Sequence, residues 1–403
     1  MNWQALRGKL LLRYSMWLFR SGIVVVLYVA ITIYTGARLL NFVKYFVPSF
    51  RAFIFWPLYL LLCFSYILLF FLRVDNIQFL RNPAMLSLPF IAYFFMGLLL
   101  LDILRLVLCL AHVIPASPFY PAMGAGIALV FALLSIVYGY YHARDIATTH
   151  YDITINKEAG ESESRLRVAV VSDLHLGATV DRKWLTNIVN AINKSKPDLI
   201  CIGGDIIDND IGLIQDLDGV EAELRRLDAP LGVFACQGNH DVDRLSLRGG
   251  ATTDRLQEFL KKADIDYLLD EVKLVSGFYL ISRRDARPIG LNQARKTASE
   301  LTAGLDNSKP FIFLDHQPVD FPREEEAGAD LIFSGHTHNG QFFPGNIATA
   351  YIYRKAGAVS YGYWRGRTAQ GIVSSGAGVW GPSIRIGTKS EVAVIDITFA
   401  AGN

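Results

Sequence analysis

The chain carries two unlike patterns of apolar and polar positions. As far as Tyr141 the apolar residues come in long blocks with no polar face, and from Arg165 onward they come in short runs separated by helix-spaced stripes. Four blocks occupy residues 21–37 (SGIVVVLYVAITIYTGA), 52–72 (AFIFWPLYLLLCFSYILLFFL), 84–108 and 122–141 (AMGAGIALVFALLSIVYGYY). Each approaches the roughly 20 apolar residues a helix needs to cross a bilayer. Residues 1–142 are therefore expected to form a four-span transmembrane domain with both ends on one side. Arg7, Lys9, Arg13 and Arg20 precede the first block, but no small-residue cleavage site followed by a polar chain comes after it, which predicts an uncleaved helix.

The second pattern follows a polar stretch, 143–164, which reads as a linker with one short strand, YDITI. Within 165–403, Trp184, Leu185, Ile188, Val189 and Ile192 recur at helical spacing after Asp181, an N-cap candidate, and Pro197 closes the segment. Leu213, Leu217, Val220, Leu224 and Leu227 trace a second helix, and Leu256, Phe259 and Leu260 a third. Alternation of apolar runs with such stripes predicts an α/β domain whose site lies along the carboxyl ends of its strands.

Composition adds three limits. Across 403 residues, 52% are hydrophobic, and a mean hydropathy of +0.30 exceeds that of an ordinary soluble globule. A net charge of +2 without a long basic run argues against a nucleic-acid partner. Cys63, Cys109, Cys201 and Cys236 all fall in apolar stretches, as buried small hydrophobes rather than a disulfide frame. In the spans, Arg7, Lys9, Arg13, Arg73, Arg81 and Arg144 stand on one face against Arg38, Lys44 and Arg51 on the other. That bias favours a cytoplasmic second half of an integral protein of the cell membrane. Asp102 and Arg105, at i and i+3, either pair inside the membrane or snorkel to the headgroups.

The chemistry lies at the ends of five apolar runs: RVAVVSDLHLG, LICIGGDIID, GVFACQGNHD, PFIFLDHQP and ADLIFSGHTHNG. One aspartate in such a place is more often a helix cap than a ligand, but five runs that all finish in Asp, Asn or His make a metal site. Carboxylate, imidazole and one amide, with no thiolate, suit Mn, Fe, Zn or Co. At least seven donors are too many for one tetrahedral ion. Two ions are expected, with Asp205 shared between them, about 3.5–4 Å apart and holding a bridging hydroxide that attacks a phosphoryl group.

These blocks, SDLH, GGDIID, GNHD, the lone histidine of LDHQP, and GHTH, resemble in order those of the calcineurin-like metallophosphoesterases, over about Leu166 to Ile397. The resemblance implies a two-sheet β-sandwich flanked by helices and a hydrolase. By it, Asp173, His175 and His338 hold the first metal, Asp205 bridges, and Asn239, His316 and His336 hold the second. His240 stabilises the transition state or protonates the leaving oxygen, oriented by Asp208. SDLHLG, GHTHNGQ and SSGAGVWGPSIRIGT look like the bacterial branch of membrane-associated phosphohydrolases. Manganese is the expected metal, with Fe, Zn, Co or Mg as alternatives. Arg385, Arg283 and Arg284 are candidates for binding substrate phosphate, Asp241 for tethering its loop, and Asp315 for orienting His316; Asp243 has no assigned role. Close tethering to four spans points to a substrate that also resides in lipid, such as a phospholipid or a nucleotide-linked glycolipid pyrophosphate. The competing expectation is a non-catalytic sensor or transporter-associated protein that keeps the metal site structurally; the Gly-broken repeats of a transporter are not apparent in 21–141.

Overall fold

The computed structural model describes residues 3–72, 78–160, 164–242, 252–286 and 295–400. It divides into two units, Met1–Val137 and Tyr138–Asn403.

The first unit is helical: α1 Trp3–Phe46, α2 Ala52–Leu72, α3 Gln78–Leu110 and α4 Phe119–His142, whose last turn belongs to the second unit. Among the described residues, four stretches are long and apolar enough to cross a membrane, Gly22–Phe46, Ala52–Leu69, Leu80–Leu110 and Phe119–His142. The first runs past the expected limit at residue 37, because Arg38 and Lys44, read as loop residues, continue the helix instead. Arg38 can do so because its guanidinium has partners: Nη2 donates to Asp102 Oδ1 at 2.7 Å and to the Pro121 carbonyl at 3.0 Å. Tyr34 Oη donates to Asp102 Oδ2 at 2.5 Å. The expected partner, Arg105, lies farther off at 3.7 Å. Elsewhere small residues permit close packing: a side chain on Gly36 would strike Trp56 and Tyr59, and one on Gly126 would strike Phe42. Arg73 lies outside the described residues.

The second unit holds two six-stranded sheets. One has the order β1 (Ile146–Ile155), β12 (Ser390–Phe399), β2 (Arg165–Val171), β3 (Leu199–Ile202), β4 (Val233–Ala235), β5 (Asp266–Tyr267). The other runs β10 (Gly362–Arg365), β11 (Gln370–Val373), β9 (Leu331–Ser334), β8 (Phe311–Leu314), β7 (Phe278–Ser282), β6 (Glu271–Val275). Alternation along each strand makes the layers. Val168 and Val170 of β2 join Ile312, Leu314 and Phe333 in the core between the sheets, while Ala169 and Val171 face α5 (Arg182–Lys194), α6 (Leu217–Leu224) and α7 (Thr252–Lys262). On the outer face of the second sheet, Phe311 and Phe313 pack with residues of α8 (Ala298–Thr302) and α9 (Phe321–Glu326). The result is a β-sandwich flanked by helices. Asp181 caps α5 by accepting from Trp184 N at 2.9 Å, and the five residues of its expected stripe are all buried.

Two expectations change here. The strand expected within 143–164 is longer than YDITI: β1 pairs in parallel with β12 over ten residues, from Ile146↔Ser390 to Ile155↔Phe399. Its polar composition belongs to a strand half open to water, with Ile153 and Ile155 buried and Thr154 exposed. The second helix starts later than its stripe, since Ile211–Leu213 form a separate 3-10 turn.

Candidate metal centre

β2, β3 and β4 run parallel in one sheet, β8 and β9 in the other, and the five segments that follow them converge. Loop-to-loop hydrogen bonds lock the convergence. Asp173 N donates to the Gly204 carbonyl at 3.0 Å, and His175 N to the Asp205 carbonyl at 2.9 Å. His336 N donates to the Asp173 carboxylate at 3.0–3.1 Å. Glycines allow the approach: a side chain on Gly238 would run into Asp205, and one on Gly335 into Ser172 and Asp173. Asp173, His175, Asp205, His336 and His338 all have φ between 47° and 72°. That left-handed region costs a non-glycine residue about 1–3 kcal/mol and is met mainly at functional sites.

The donor atoms gather in two groups joined by one carboxylate. In the first, His175 Nε2 lies 3.0 Å from His338 Nε2, which is 3.4 Å from Asp173 Oδ1. In the second, His316 Nε2 lies 3.2 Å from Asn239 Oδ1 and 3.1 Å from Asp205 Oδ2, with His336 within 4.8 Å of His316 and Asp205. Asp205 Oδ2 is also 3.7 Å from His175 Nε2, so it stands between the groups. His240 Nδ1 and Asp208 Oδ1 are 3.7 Å apart beside them.

Electrostatics show what these donors lack. Burial, reinforced by neighbouring imidazoles, pushes His336 down to about 3 and His240 down to about 4, and holds His338 well below the usual histidine range. These rings are neutral and offer lone pairs. Burial opposes a charge on His316 too, but Asp205 and Asp173 outweigh it and raise its pKa. Burial likewise opposes the charge on Asp205, yet His316 holds that carboxyl below the usual range. A proton between these two residues supplies positive charge where the donor set demands it. His175 Nδ1 and His240 Nδ1 are enclosed without a hydrogen bond. Oxygen and imidazole donors, neutral rings and orphaned nitrogens fit divalent cations. His316 is already aimed: its Nδ1 faces the Gly203 carbonyl at 2.7 Å, leaving Nε2 for the centre.

All seven expected ligands, with His240 and Asp208, are thus brought together. The three arginines are not. Arg385 is fully buried: Nη1 donates to the His338 carbonyl at 3.2 Å, and Nη2 to those of Ser375, Gly376 and Gly378 at 2.6–3.2 Å. It braces His338 from behind and has no free face for a phosphate. Arg283 is enclosed by Asp315, Asp320 and Glu324 at 2.8–3.3 Å, and Arg284 lies against Asp270 at 3.5 Å. Asp315 takes Arg283 and Arg295 as partners, so the Gly203 carbonyl, not Asp315, orients His316. Asp241 does tether its loop, accepting from Ile206, Ile207 and Gly238 N–H groups at 2.7–3.1 Å. Asp243 lies outside the described residues. The sequence reasoning missed Arg295 and Trp380, whose ring lies 6.1 Å from that of His240; neither stands in a strand-end block.

Comparison with known proteins gives three results. Residues 166–340 match the family model for calcineurin-like phosphoesterase. An uncharacterized metallophosphoesterase of Campylobacter jejuni is 27% identical over 67% of this chain and 69% of its own length. A transmembrane protein with metallophosphoesterase domain from Bos taurus is 29% identical over 66% of this chain and 60% of its own. Among solved structures, a dimetal phosphatase from Danio rerio aligns with 52% of this chain and 86% of its own, at 14% identity and a TM-score of 0.32, too slight a likeness to carry an inference.

Proposed function

We propose that the chain, whose residues 166–340 match the family model for calcineurin-like phosphoesterase, is a membrane-anchored, dinuclear metal-dependent hydrolase that cleaves a phosphate ester or pyrophosphate bond of a substrate residing in lipid. One observation carries the dinuclear part: the Asp205 carboxylate stands between two donor groups, 3.7 Å from His175 and 3.1 Å from His316. Asp173, His175 and His338 would hold one ion, Asn239, His316 and His336 the other, and Asp205 both. When bound, two divalent ions neutralise phosphoryl oxygens and lower the pKa of water enough for hydroxide to exist near neutrality.

The chain's own residues do the rest. The Gly203 carbonyl fixes the ring of His316, and Arg385, which donates to the His338 carbonyl and lies 3.3 Å from its Nδ1, fixes that of His338. Asp241 holds the Asn239 loop against the Asp205 loop. His240, which burial holds neutral in the free site, would stand beside the leaving oxygen and take part in proton transfer to it, with Asp208 3.7 Å from its Nδ1 to position the ring. Manganese is the ion we expect in this mixed set of three oxygen and four imidazole donors, with Fe, Zn, Co and Mg as alternatives. The four apolar helices support a place in a membrane, the likeness of SDLHLG and GHTHNGQ to the bacterial branch points to a bacterial cell membrane, and the Lys/Arg bias favours a cytoplasmic catalytic side. Phospholipids and nucleotide-linked glycolipid pyrophosphates are the substrate classes to try.

The test is a screen of the full chain, in detergent and in liposomes, against lipid and soluble phosphoesters with added Mn. Release of phosphate or alcohol that is lost in Asp205→Ala and His240→Ala supports the assignment. Unchanged turnover in those variants overturns it, and metal analysis giving one ion per chain overturns the dinuclear part.

A further inference from the structure

α10 (Gly345–Lys355) is a helix with no buried residue. It starts against the turn that carries His338: a side chain on Gly340 would strike Gly345 and Asn346. Its outward residues are apolar, with Ile347 60%, Tyr351 50% and Ile352 63% exposed, and Phe343 just before it 40% exposed. A groove of about 460 Å³, lined by Asn339, Asn346, Ile347, Ala350, Tyr351 and Arg354, leads from that face to the residue next to His338.

Charge on this segment is one-sided. From Leu331 to Ser390 there is no Asp or Glu, but there are Arg354, Lys355, Arg365, Arg367, Arg385 and Lys389. All but Arg385 and Lys389 are classed as exposed. Lys355 lies over the Tyr351 ring at 4.7 Å. An apolar, aromatic and basic helix of this kind suits the interface of an anionic bilayer.

Connectivity puts a bilayer within reach. The last turn of α4, Tyr138–His142, is gripped by the segment that also supports the base of α10. Arg385 N donates to the Gly139 carbonyl at 3.0 Å, His142 Nε2 meets the Thr388 carbonyl at 3.0 Å, and Phe343 N donates to the Ile386 carbonyl at 2.8 Å. Gly139 is seated so tightly that a side chain there would strike Ile384 and Ile386. The apolar face of α10 and the final turn of a membrane-length helix therefore share one support.

We propose that α10 lies in the surface of an anionic bilayer, and that its groove guides a phosphoester embedded there to the metal centre. The guiding step rests on the hydrolase reading above; the docking does not.

The experiment uses the full chain in nanodiscs of phosphatidylcholine and phosphatidylglycerol, with Mn, and two esters sharing one leaving group. These are bis(p-nitrophenyl) phosphate in water and the p-nitrophenyl ester of dioleoyl phosphatidic acid in the disc. Ile347→Asp with Ile352→Asp should lower turnover of the lipid ester about tenfold or more while changing the soluble ester by less than about twofold. Ile352→Trp, which keeps an interfacial residue, should retain lipid turnover. Separately, a fluorophore on Ile352→Cys, with the labelled parent chain as blank, should be quenched by nitroxide-headgroup lipid. Equal loss on both esters, no loss on either, no quenching, or a dimer that the double variant dissolves would each overturn the proposal. If neither ester is cleaved by the parent chain, the hydrolase reading fails, and quenching alone decides whether α10 docks.

Discussion

The metal centre and the Tyr34, Arg38, Asp102 and Arg105 cluster both take ionised groups out of water, and they differ in the sign of what is left over. In the catalytic unit Asp173, Asp205 and Asp208 face imidazoles, of which His240, His336 and His338 are held neutral by burial while His316 carries a proton toward Asp205, and His175 Nδ1 and His240 Nδ1 have no hydrogen bond. The surplus is of lone pairs. In the membrane unit two guanidiniums face one carboxylate, both of whose oxygens accept hydrogen bonds at 2.5–2.7 Å, while Nε of Arg38 and of Arg105 make no hydrogen bond, the latter lying 3.7 Å from the same carboxylate. The surplus there is of N–H groups. The two polar clusters thus differ in what they offer a divalent cation: the first presents oxygen and imidazole donors, and the second presents N–H groups.

Four experiments can break or sharpen that contrast. The largest effect is expected from Asp205→Asn, which removes the carboxylate common to both donor groups: Mn-dependent hydrolysis of a soluble ester should fall on the order of 10³-fold or more, with fewer than two ions bound per chain. Next, Arg385→Leu leaves the carbonyls of His338, Ser375, Gly376 and Gly378 enclosed without their donor. The expected loss is about 3–5 kcal/mol in denaturant unfolding, with Mn affinity about 10–100-fold weaker. A raised KM at unchanged stability would instead return Arg385 to the role of phosphate binder. Third, saturating Mn at a hundred times its Kd should stabilise the chelator-treated chain by about 2.7 kcal/mol per site, read as a rise in Tm. Asp102→Asn should keep that rise. Last and smallest in activity, Asp102→Asn should change soluble-ester turnover by less than about twofold while costing roughly 1–3 kcal/mol of stability; a larger activity loss would mean that the two clusters are coupled.

The site was legible because its donors sit at a fixed place in a repeated pattern, just past apolar runs, as in SDLH, GNHD and GHTH. The sandwich followed from the same runs once their family likeness was seen. What stayed hidden depends on contacts between distant segments. Arg385 lies in GPSIRIG, which reads as an open loop, and only the fold closes carbonyls from two other segments around it. Asp315 looks like the natural orienter of His316 until Arg283 and Arg295 claim it. Positive φ at Asp173 or His338 leaves no mark in composition. Only the YDITI half of β1 was legible: residues 146–150 turn Thr and His outward, so that half resembles a tether until paired.

That pairing has a consequence for how the polypeptide is made. Ile146 emerges 244 residues (390 − 146) before its neighbour Ser390, so at 5–20 residues per second the ribosome needs roughly ten to fifty seconds to deliver the mate. Throughout that interval the edge strand directly behind α4 has no hydrogen-bonding neighbour, and nascent chains arrested short of Ser390 carry a split sheet for quality-control proteases to find.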